Sequence, residues 1–108
     1  MIHATVKIEL SPDKHDEALQ ILRPIVDRIR NSNSCISCSI YQDIEEAHLI
    51  VLEQFWESEE GMTRHLRSQD YQKILIVMEM AMKPPEIQFN TITGSTGVET
   101  IEKARMSK

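Results

Sequence analysis

The amino-acid sequence predicts an α+β fold in which one antiparallel sheet is covered by helices. Near the N-terminus, apolar and polar residues alternate with a period of two, which is typical of a strand with one buried face. Two longer segments repeat apolar residues every three or four positions, which is typical of helices packed on such a sheet. The length of 108 residues leaves no room for a second core, so we expect one domain over residues 1–108.

The first half of the chain supplies three strands and one long helix. The alternation of Ile2–Leu10 predicts the first strand. The Ser-Pro-Asp sequence at residues 11–13 is a typical helix start, and the helix should continue to about Arg30. Cys35–Gln42 and His48–Trp56 then read as two strands joined by a short turn. The helix has an apolar stripe formed by Ala18, Leu22, Ile25 and Ile29.

The second half supplies a pair of helices, a fourth strand and a short terminal helix. Ser58 and Ser68 each precede a helical segment as N-caps, and the second segment should extend from Gln69 to about Met82. Residues 86–93 predict the fourth strand. A helix at about 97–105 is too short to be stable alone, so we expect it to extend the sheet or dock on a partner subunit. This order of elements is the ferredoxin-like split βαβ arrangement with a four-stranded antiparallel sheet.

The third strand carries apolar side chains on both of its faces. A strand that is buried on both sides needs cover on both sides, and helices of the same chain can cover only one of them. We therefore expect a second subunit to cover the other face, which makes the protein a homodimer. The two apolar sets are Leu49, Val51 and Phe55 on one face and Ile50, Leu52 and Trp56 on the other.

Composition excludes several classes of partner. The formal net charge of -5 argues against a surface for nucleic acid or anionic membranes. No apolar run reaches the roughly 20 residues that a membrane span needs. The N-terminus lacks the basic and apolar regions of a secretory signal, so we expect a cytoplasmic protein.

Two cysteines, Cys35 and Cys38, have a Cys-x-x-Cys spacing. Their flanking residues predict a strand, on which residues three apart should point to opposite faces. A zinc site would also need two further ligands, and the sequence has no second Cys-x-x-Cys or histidine pair. We interpret them as ordinary reduced cysteines and expect no metal site.

A histidine in the middle of the chain is predicted to be buried. Met62, His65 and Leu66 are spaced at i, i+3 and i+4, which places them on one helix face, turned inward beside Trp56. The imidazole of His65 should therefore lie among apolar groups.

The stretch around this histidine resembles the signature of antibiotic biosynthesis monooxygenase (ABM) domains, a family that includes quinol monooxygenases. The resemblance covers nearly the whole chain in length and element order. It implies that two subunits pair their sheets into a dimeric α/β barrel. The matching residues of the Trp-x-Ser…His-x-x-Ser…aromatic signature are Trp56, Ser58, Glu59, Glu60, His65, Ser68 and Tyr71.

The resemblance also implies a reaction with dioxygen that uses no cofactor. The sequence contains no Gly-rich phosphate loop and no nicotinamide or flavin fingerprint. In such enzymes the substrate, a hydroquinone or another electron-rich phenol, loses its proton and reduces dioxygen itself. The protein must then supply a dry pocket, a base and hydrogen-bond donors that hold the anion.

His65 is the candidate base, because burial keeps an imidazole neutral near pH 7. Trp56 would form a pocket wall and orient a substrate oxygen, and Tyr71 would bind the substrate or shuttle a proton. The alternative is a packed helix–strand junction in which His65 only bridges backbone groups. The rest of the predicted substrate pocket for a small aromatic or apolar metabolite comprises Gln54, Cys38, Met62, Leu66, Leu75 and Met78.

The sequence departs from the family pattern near this pocket. Many relatives have Glu at the place of Gln54 and Tyr at the place of Cys38, so acidity and size of the pocket should differ. A common Pro-Gly-Cys appears here as Asn33-Ser34-Cys35. The residues that haem-degrading relatives use are also missing, which disfavours that activity.

Two other functions use the same scaffold, because function depends on the site and not on the fold. One is an isomerase or another proton-transfer enzyme that uses His65 without oxygen. The other is a non-catalytic dimeric module that binds a small molecule. Oxygen uptake would distinguish the monooxygenase from both of these alternatives.

Overall fold

The computed structural model describes residues 1–106 and contains every element that the sequence predicts. Two elements end earlier than expected, since the third helix stops at Glu79 and the fourth strand at Thr91. The elements are β1 Ile2–Glu9, α1 Pro12–Arg30, β2 Cys35–Gln42, β3 Leu49–Trp56, α2 Glu59–Leu66, α3 Gln69–Glu79, β4 Glu86–Thr91 and α4 Val98–Met106.

The four strands form one antiparallel sheet in the order β2-β3-β1-β4. The two central strands, β1 and β3, are in register over their whole length, from Ile2 opposite Trp56 to Glu9 opposite Leu49. This order confirms the predicted ferredoxin-like fold.

The core lies between one face of the sheet and the helices. The predicted stripe of α1 faces the sheet, and Ala18, Leu22, Ile25 and Ile29 are buried. Ile8 of β1 and Ile50 of β3 lie opposite each other beneath it and are also buried. Because side chains alternate along a strand, every second residue of β1 and β3, such as Lys7 and Val51, points to the other face.

That other face of the sheet is only partly covered in the single chain. Leu49, Val51 and Phe55 of β3 keep intermediate exposure, and Tyr41 of β2, which pairs with Val51, is 53% exposed. The second subunit predicted to cover this face stays a prediction.

A bulge in β2 reverses the predicted orientation of one cysteine. Cys35 pairs with Trp56 and Cys38 with Gln54, and the register shifts between Cys35 and Ser37. The bulge places one extra residue in β2, so both cysteines face the helix-covered side. The prediction that they point to opposite faces was therefore wrong. Burial raises the pKa of both thiols, that of Cys38 to about 12, so neither is a thiolate at neutral pH.

The terminal helix α4 buries none of its side chains in the single chain. Val98, Ile101 and Met106 are all exposed. None of the described helices is long and apolar enough to cross a membrane.

Candidate functional site

Two serine caps fix the helices that carry the site. The Ser58 hydroxyl accepts the amide hydrogen of Gly61 at 3.1 Å and so begins α2. The Ser68 hydroxyl accepts the amide hydrogen of Tyr71 at 3.1 Å and donates to the backbone carbonyl of His65 at 2.6 Å. Ser68 therefore begins α3 and also holds the end of α2 that carries His65.

The first turn of α2 lies against the loop that precedes β2. Ser34 of this loop has a positive φ of 76°, a conformation that favours glycine. Its carbonyl accepts the Glu57 amide at 2.8 Å, and its hydroxyl contacts that of Ser58 at 3.1 Å. A Cβ at position 61 would overlap the side chain of Ser34. Gly61 thus allows the close approach that sets α2 against the sheet.

The structure brings the three predicted catalytic residues together. His65 is 8% exposed and stacks on Trp56, with ring centroids 4.9 Å apart and an interplanar angle of 26°. The ring of Tyr71 meets the imidazole edge-on at 5.3 Å and 90°. The imidazole is therefore enclosed between two aromatic rings.

A chain of buried hydrogen bonds connects β3 to this imidazole. Trp56 Nε1 donates to Gln54 Oε1 at 3.0 Å, and Gln54 Nε2 lies 3.2 Å from His65 Nε2. Gln54 also lies opposite Cys38, its neighbour on β2. Gln54 is 4% exposed, so its amide needs these partners.

Burial sets the protonation of the site. Desolvation lowers the pKa of His65 from its ordinary 6.5 to about 4, and the charge of Asp70 opposes this shift only in part. The ring is therefore neutral at pH 7, as the sequence predicts. So low a pKa also makes the imidazole a weak base. Burial raises the pKa of Tyr71, which keeps its phenol protonated.

A cleft of about 280 Å³ opens beside the imidazole. This volume is close to the lower end of small-molecule sites. Arg28 and Asp70 form its polar wall through a bidentate ion pair with N–O distances of 2.8 to 3.1 Å. The lining residues are Arg28, Ile29, Ser32, Asn33, Trp56, Gly61, Arg64, His65, Ser68 and Asp70.

The family model described as "Antibiotic biosynthesis monooxygenase" matches residues 1–75, which include β1, β2, β3, α2 and the whole Trp56–Tyr71 signature. The chain belongs to the antibiotic biosynthesis monooxygenase family. This confirms the resemblance inferred from the sequence. No curated protein sequence matches the chain significantly.

Solved structures share the fold of this ABM chain at low sequence identity. A conserved protein from Methanosarcina mazei is 22% identical, with a TM-score of 0.77 over 82% of this chain and 89% of its own. A candidate antibiotic biosynthesis monooxygenase from Deinococcus radiodurans is 15% identical, with a TM-score of 0.81 over 90% and 97%. Another from Nitrosomonas europaea is 13% identical, with a TM-score of 0.78 over 87% and 100%. At these identities the likeness establishes the fold alone.

The other pocket residues predicted for this ABM domain lie around the site but not along the cleft. Gln54 and Cys38 are buried on the sheet beneath the imidazole. Met62 and Leu66 are half-buried on α2, and Met78 is buried in the core. Leu75 is 45% exposed on α3, so the single chain does not bring it to the site.

Sequence reasoning missed the charged wall of the cleft. Arg28 and Asp70 lie on different helices, 42 residues apart, and neither belongs to the ABM signature. No periodicity or spacing in the sequence connects them. Among residues 1–106, no group of three or more His, Cys, Asp or Glu side chains is placed to hold a metal ion.

Proposed function

We propose that this ABM-family protein is a monooxygenase that uses no metal or organic cofactor and oxidises a small hydroquinone or polyphenol with dioxygen. Family membership supports monooxygenase-type chemistry. The observation that carries the proposal is the neutral imidazole of His65, enclosed by Trp56 and Tyr71 at the edge of a ligand-sized cleft.

The reaction balances without an external reductant. A hydroquinone anion passes an electron to dioxygen, and the two radicals recombine at a ring carbon. One oxygen atom enters the ring, the other leaves as water, and the hydroquinone, which becomes a hydroxyquinone, supplies every electron. The protein's part is to exclude water, hold the ring and stabilise the anion.

In this proposal Trp56 forms the wall on which the substrate ring packs, and His65 is the candidate base that handles the substrate hydroxyl. Tyr71 serves as a donor, because its hydroxyl has no hydrogen-bond partner among the described residues and is not sealed from solvent. Met62, Leu66 and Met78 keep the surroundings apolar. Leu75 joins the pocket only in an assembly that covers the outer side of α3.

We also propose that the protein works as a homodimer whose subunits meet at the open face of the sheet. The apolar side chains on that face need cover, and α4 offers an apolar side that its own chain leaves exposed. Size-exclusion chromatography with light scattering tests this directly. A stable monomer at micromolar concentration would reject the dimeric barrel.

The decisive experiment measures oxygen consumption with a panel of hydroquinones and polyphenols in the presence of a chelator. We expect uptake above autoxidation in the wild type, its loss in His65→Ala, and full activity in His48→Ala. His48 is a matched control because it is a half-exposed histidine bound to Glu9, away from the cleft. Uptake that survives His65→Ala would reject the site. Absence of uptake with every substrate would favour a proton-transfer enzyme or a binding module instead.

A further inference from the structure

The amide of Gln54 can be oriented without ambiguity. The indole N–H of Trp56 can only donate, so the half of the amide that faces it at 3.0 Å must be the carbonyl oxygen. The other half, the NH₂ group, then faces His65 Nε2 at 3.2 Å. A reversed amide would set two donors against each other at Trp56, so only this orientation satisfies both buried groups.

This orientation determines which nitrogen of His65 carries the proton. Because the Gln54 NH₂ group donates, Nε2 must offer its lone pair. An imidazolium and the Nε2–H tautomer would each set an N–H against an N–H inside a buried site. A neutral ring that accepts at Nε2 carries its hydrogen on Nδ1.

Nδ1 is also the nitrogen that is free to meet a ligand. Nδ1 forms no hydrogen bond with another described residue. Because it is not a buried atom without a partner, it must be accessible from outside. The cleft is lined by His65 but not by Gln54, which binds the opposite side of the ring. The imidazole therefore offers the cleft an N–H and not a lone pair.

We infer that the site takes its aromatic substrate as a preformed phenolate or enolate, and that the Nδ1–H of His65 donates a hydrogen bond to the anionic oxygen. Trp56 and Gln54 are then positioning residues that hold this tautomer. The inference rests on the proposed function and narrows it to phenols and enols acidic enough to ionise near neutral pH, such as those conjugated to a carbonyl group. The substrate's proton goes to solvent before binding. His65 therefore acts as a hydrogen-bond donor in place of the base assigned to it above, and it changes no bond during the reaction.

The charges around the cleft are compatible with an anion. Its ionisable lining residues are Arg28, Arg64, Asp70 and His65. Both oxygens of Asp70 accept hydrogen bonds from Arg28, although the charge of Asp70 also acts on His65. Glu60, which approaches Arg64 to 3.6 Å, is directed to solvent on the outer side of α2. Two guanidinium groups therefore face one carboxylate. Tyr71 is neutral and its ring contacts the imidazole edge-on, but it does not line the cleft.

Nitrogen-15 NMR of ring-labelled histidine tests the tautomer independently of any activity. The His65 signals are assigned by their absence in His65→Phe. We expect the wild type to show the Nδ1–H pattern at pH 7. Trp56→Phe should give a tautomer mixture, because Gln54 is then free to turn, and Gln54→Glu should move the proton to Nε2, where a carboxylate accepts it. A wild-type ring protonated at Nε2, or at both nitrogens, would overturn the inference.

Absorbance titration of a nitrophenol tests the substrate class. We expect the wild type to bind the phenolate at least tenfold more tightly than the neutral phenol, which lowers the apparent pKa of the bound probe. The shift should disappear in Gln54→Glu and persist in His48→Ala. Equal or stronger binding of the neutral phenol, or no binding at millimolar probe, would reject the inference. If the anion binds but no phenolate or hydroquinone drives oxygen uptake, the proposed monooxygenase fails while the anion site stands.

Discussion

The strand β3 contacts a histidine of another element on each of its faces, through one aromatic and one polar side chain. On the covered face, His65 stacks on Trp56 and is hydrogen-bonded to Gln54 at 3.2 Å. On the open face, His3 stacks on Phe55 with ring centroids 4.5 Å apart and is hydrogen-bonded to Glu53 at 2.9 Å. In both pairs the polar partner precedes the aromatic residue by two positions on the same strand.

The two pairs differ in burial and in the chemistry of the polar partner. His65 and Gln54 are almost fully buried, whereas the side chains of His3 and Glu53 are 22% and 30% exposed. An amide fixed by Trp56 donates and therefore requires a neutral ring, whereas a carboxylate accepts from a neutral or a charged imidazole. The comparison shows that one strand places an amide with a fixed donor on its covered face and a carboxylate that accepts from either form of a histidine on its open face.

The largest expected effect is the difference between the stability lost on truncating Trp56 and the stability lost on truncating Phe55. Trp56 is 1% exposed, so Trp56→Ala should lower the free energy of unfolding by about 3–5 kcal/mol. Phe55 is half-exposed in the single chain, so Phe55→Ala should cost less than half as much in dilute solution. Urea denaturation at several protein concentrations measures both. A loss for Phe55→Ala that grows with concentration would indicate that a second subunit buries this ring. Equal losses in dilute protein would show that the two faces of β3 do not differ in burial.

The second prediction concerns pH. An unfolded chain protonates His65 below its ordinary pKa of 6.5, but the folded chain resists protonation until about 4. The folded state thus binds fewer protons in this window, so stability falls as pH drops from about 6.5 to about 4, by about 3 kcal/mol in total. His65→Phe should remove this slope. Gln54→Glu should reduce it, because a carboxylate raises the pKa of the adjacent imidazole.

Urea denaturation at a series of pH values checks this slope. Carboxylates such as Asp70, whose pKa is lowered by Arg28, also lose stabilising interactions in acid. The difference between wild type and His65→Phe isolates the contribution of the histidine. If the pH dependence of stability is unchanged in His65→Phe, then His65 is not a buried imidazole that stays neutral in the folded chain.

The third prediction tests the contact that sets α2, and with it His65, over Trp56. A Cβ at position 61 would overlap the side chain of Ser34, so Gly61→Ala should cost on the order of 2 kcal/mol. Ser34→Gly removes the obstructing atoms and also suits the positive φ of 76°. In that background the nearest side-chain neighbour of the new methyl group is the Ser58 hydroxyl at 3.3 Å, and most of the loss should disappear.

A double-mutant cycle by thermal or urea unfolding gives this coupling. Strictly additive effects of Gly61→Ala and Ser34→Gly would show that the loop and α2 do not press on each other. The covered histidine would then be positioned by Trp56 and Gln54 without help from the start of α2.

The fold and the burial of His65 could be predicted because they depend on local patterns. Alternation set the strands, serine caps set the starts of α2 and α3, and the i, i+3, i+4 spacing placed His65 inward. These signals depend on residues close together in the sequence, so they can be recognised without knowledge of the tertiary structure.

What could not be predicted depends on registers and long-range contacts. One bulge residue in β2 brought Cys35 to the same face as Cys38, and nothing in the flanking residues marks it. The bond between Gln54 and His65 joins a strand to a helix, and the Arg28–Asp70 pair joins two helices. The sequence identified Gln54 as a departure from its family, but only the geometry shows that this amide sets the tautomer.

The smallest expected effect concerns how the end of α2 is held. The Ser68 hydroxyl caps α3 and binds the His65 carbonyl, so Ser68→Ala should cost about 1 kcal/mol. Ser11, at the start of α1, is a matched control, because its hydroxyl donates only to the exposed carboxylate of Asp13 and makes no capping hydrogen bond. Ser11→Ala should therefore cost only a few tenths of that. Urea denaturation gives both free energies, and the NMR signals of His65 show whether the ring moves. If the two variants lose equal stability and His65 is undisturbed, then Ser68 does not fix the covered histidine, whose position would depend on Trp56 and Gln54 alone.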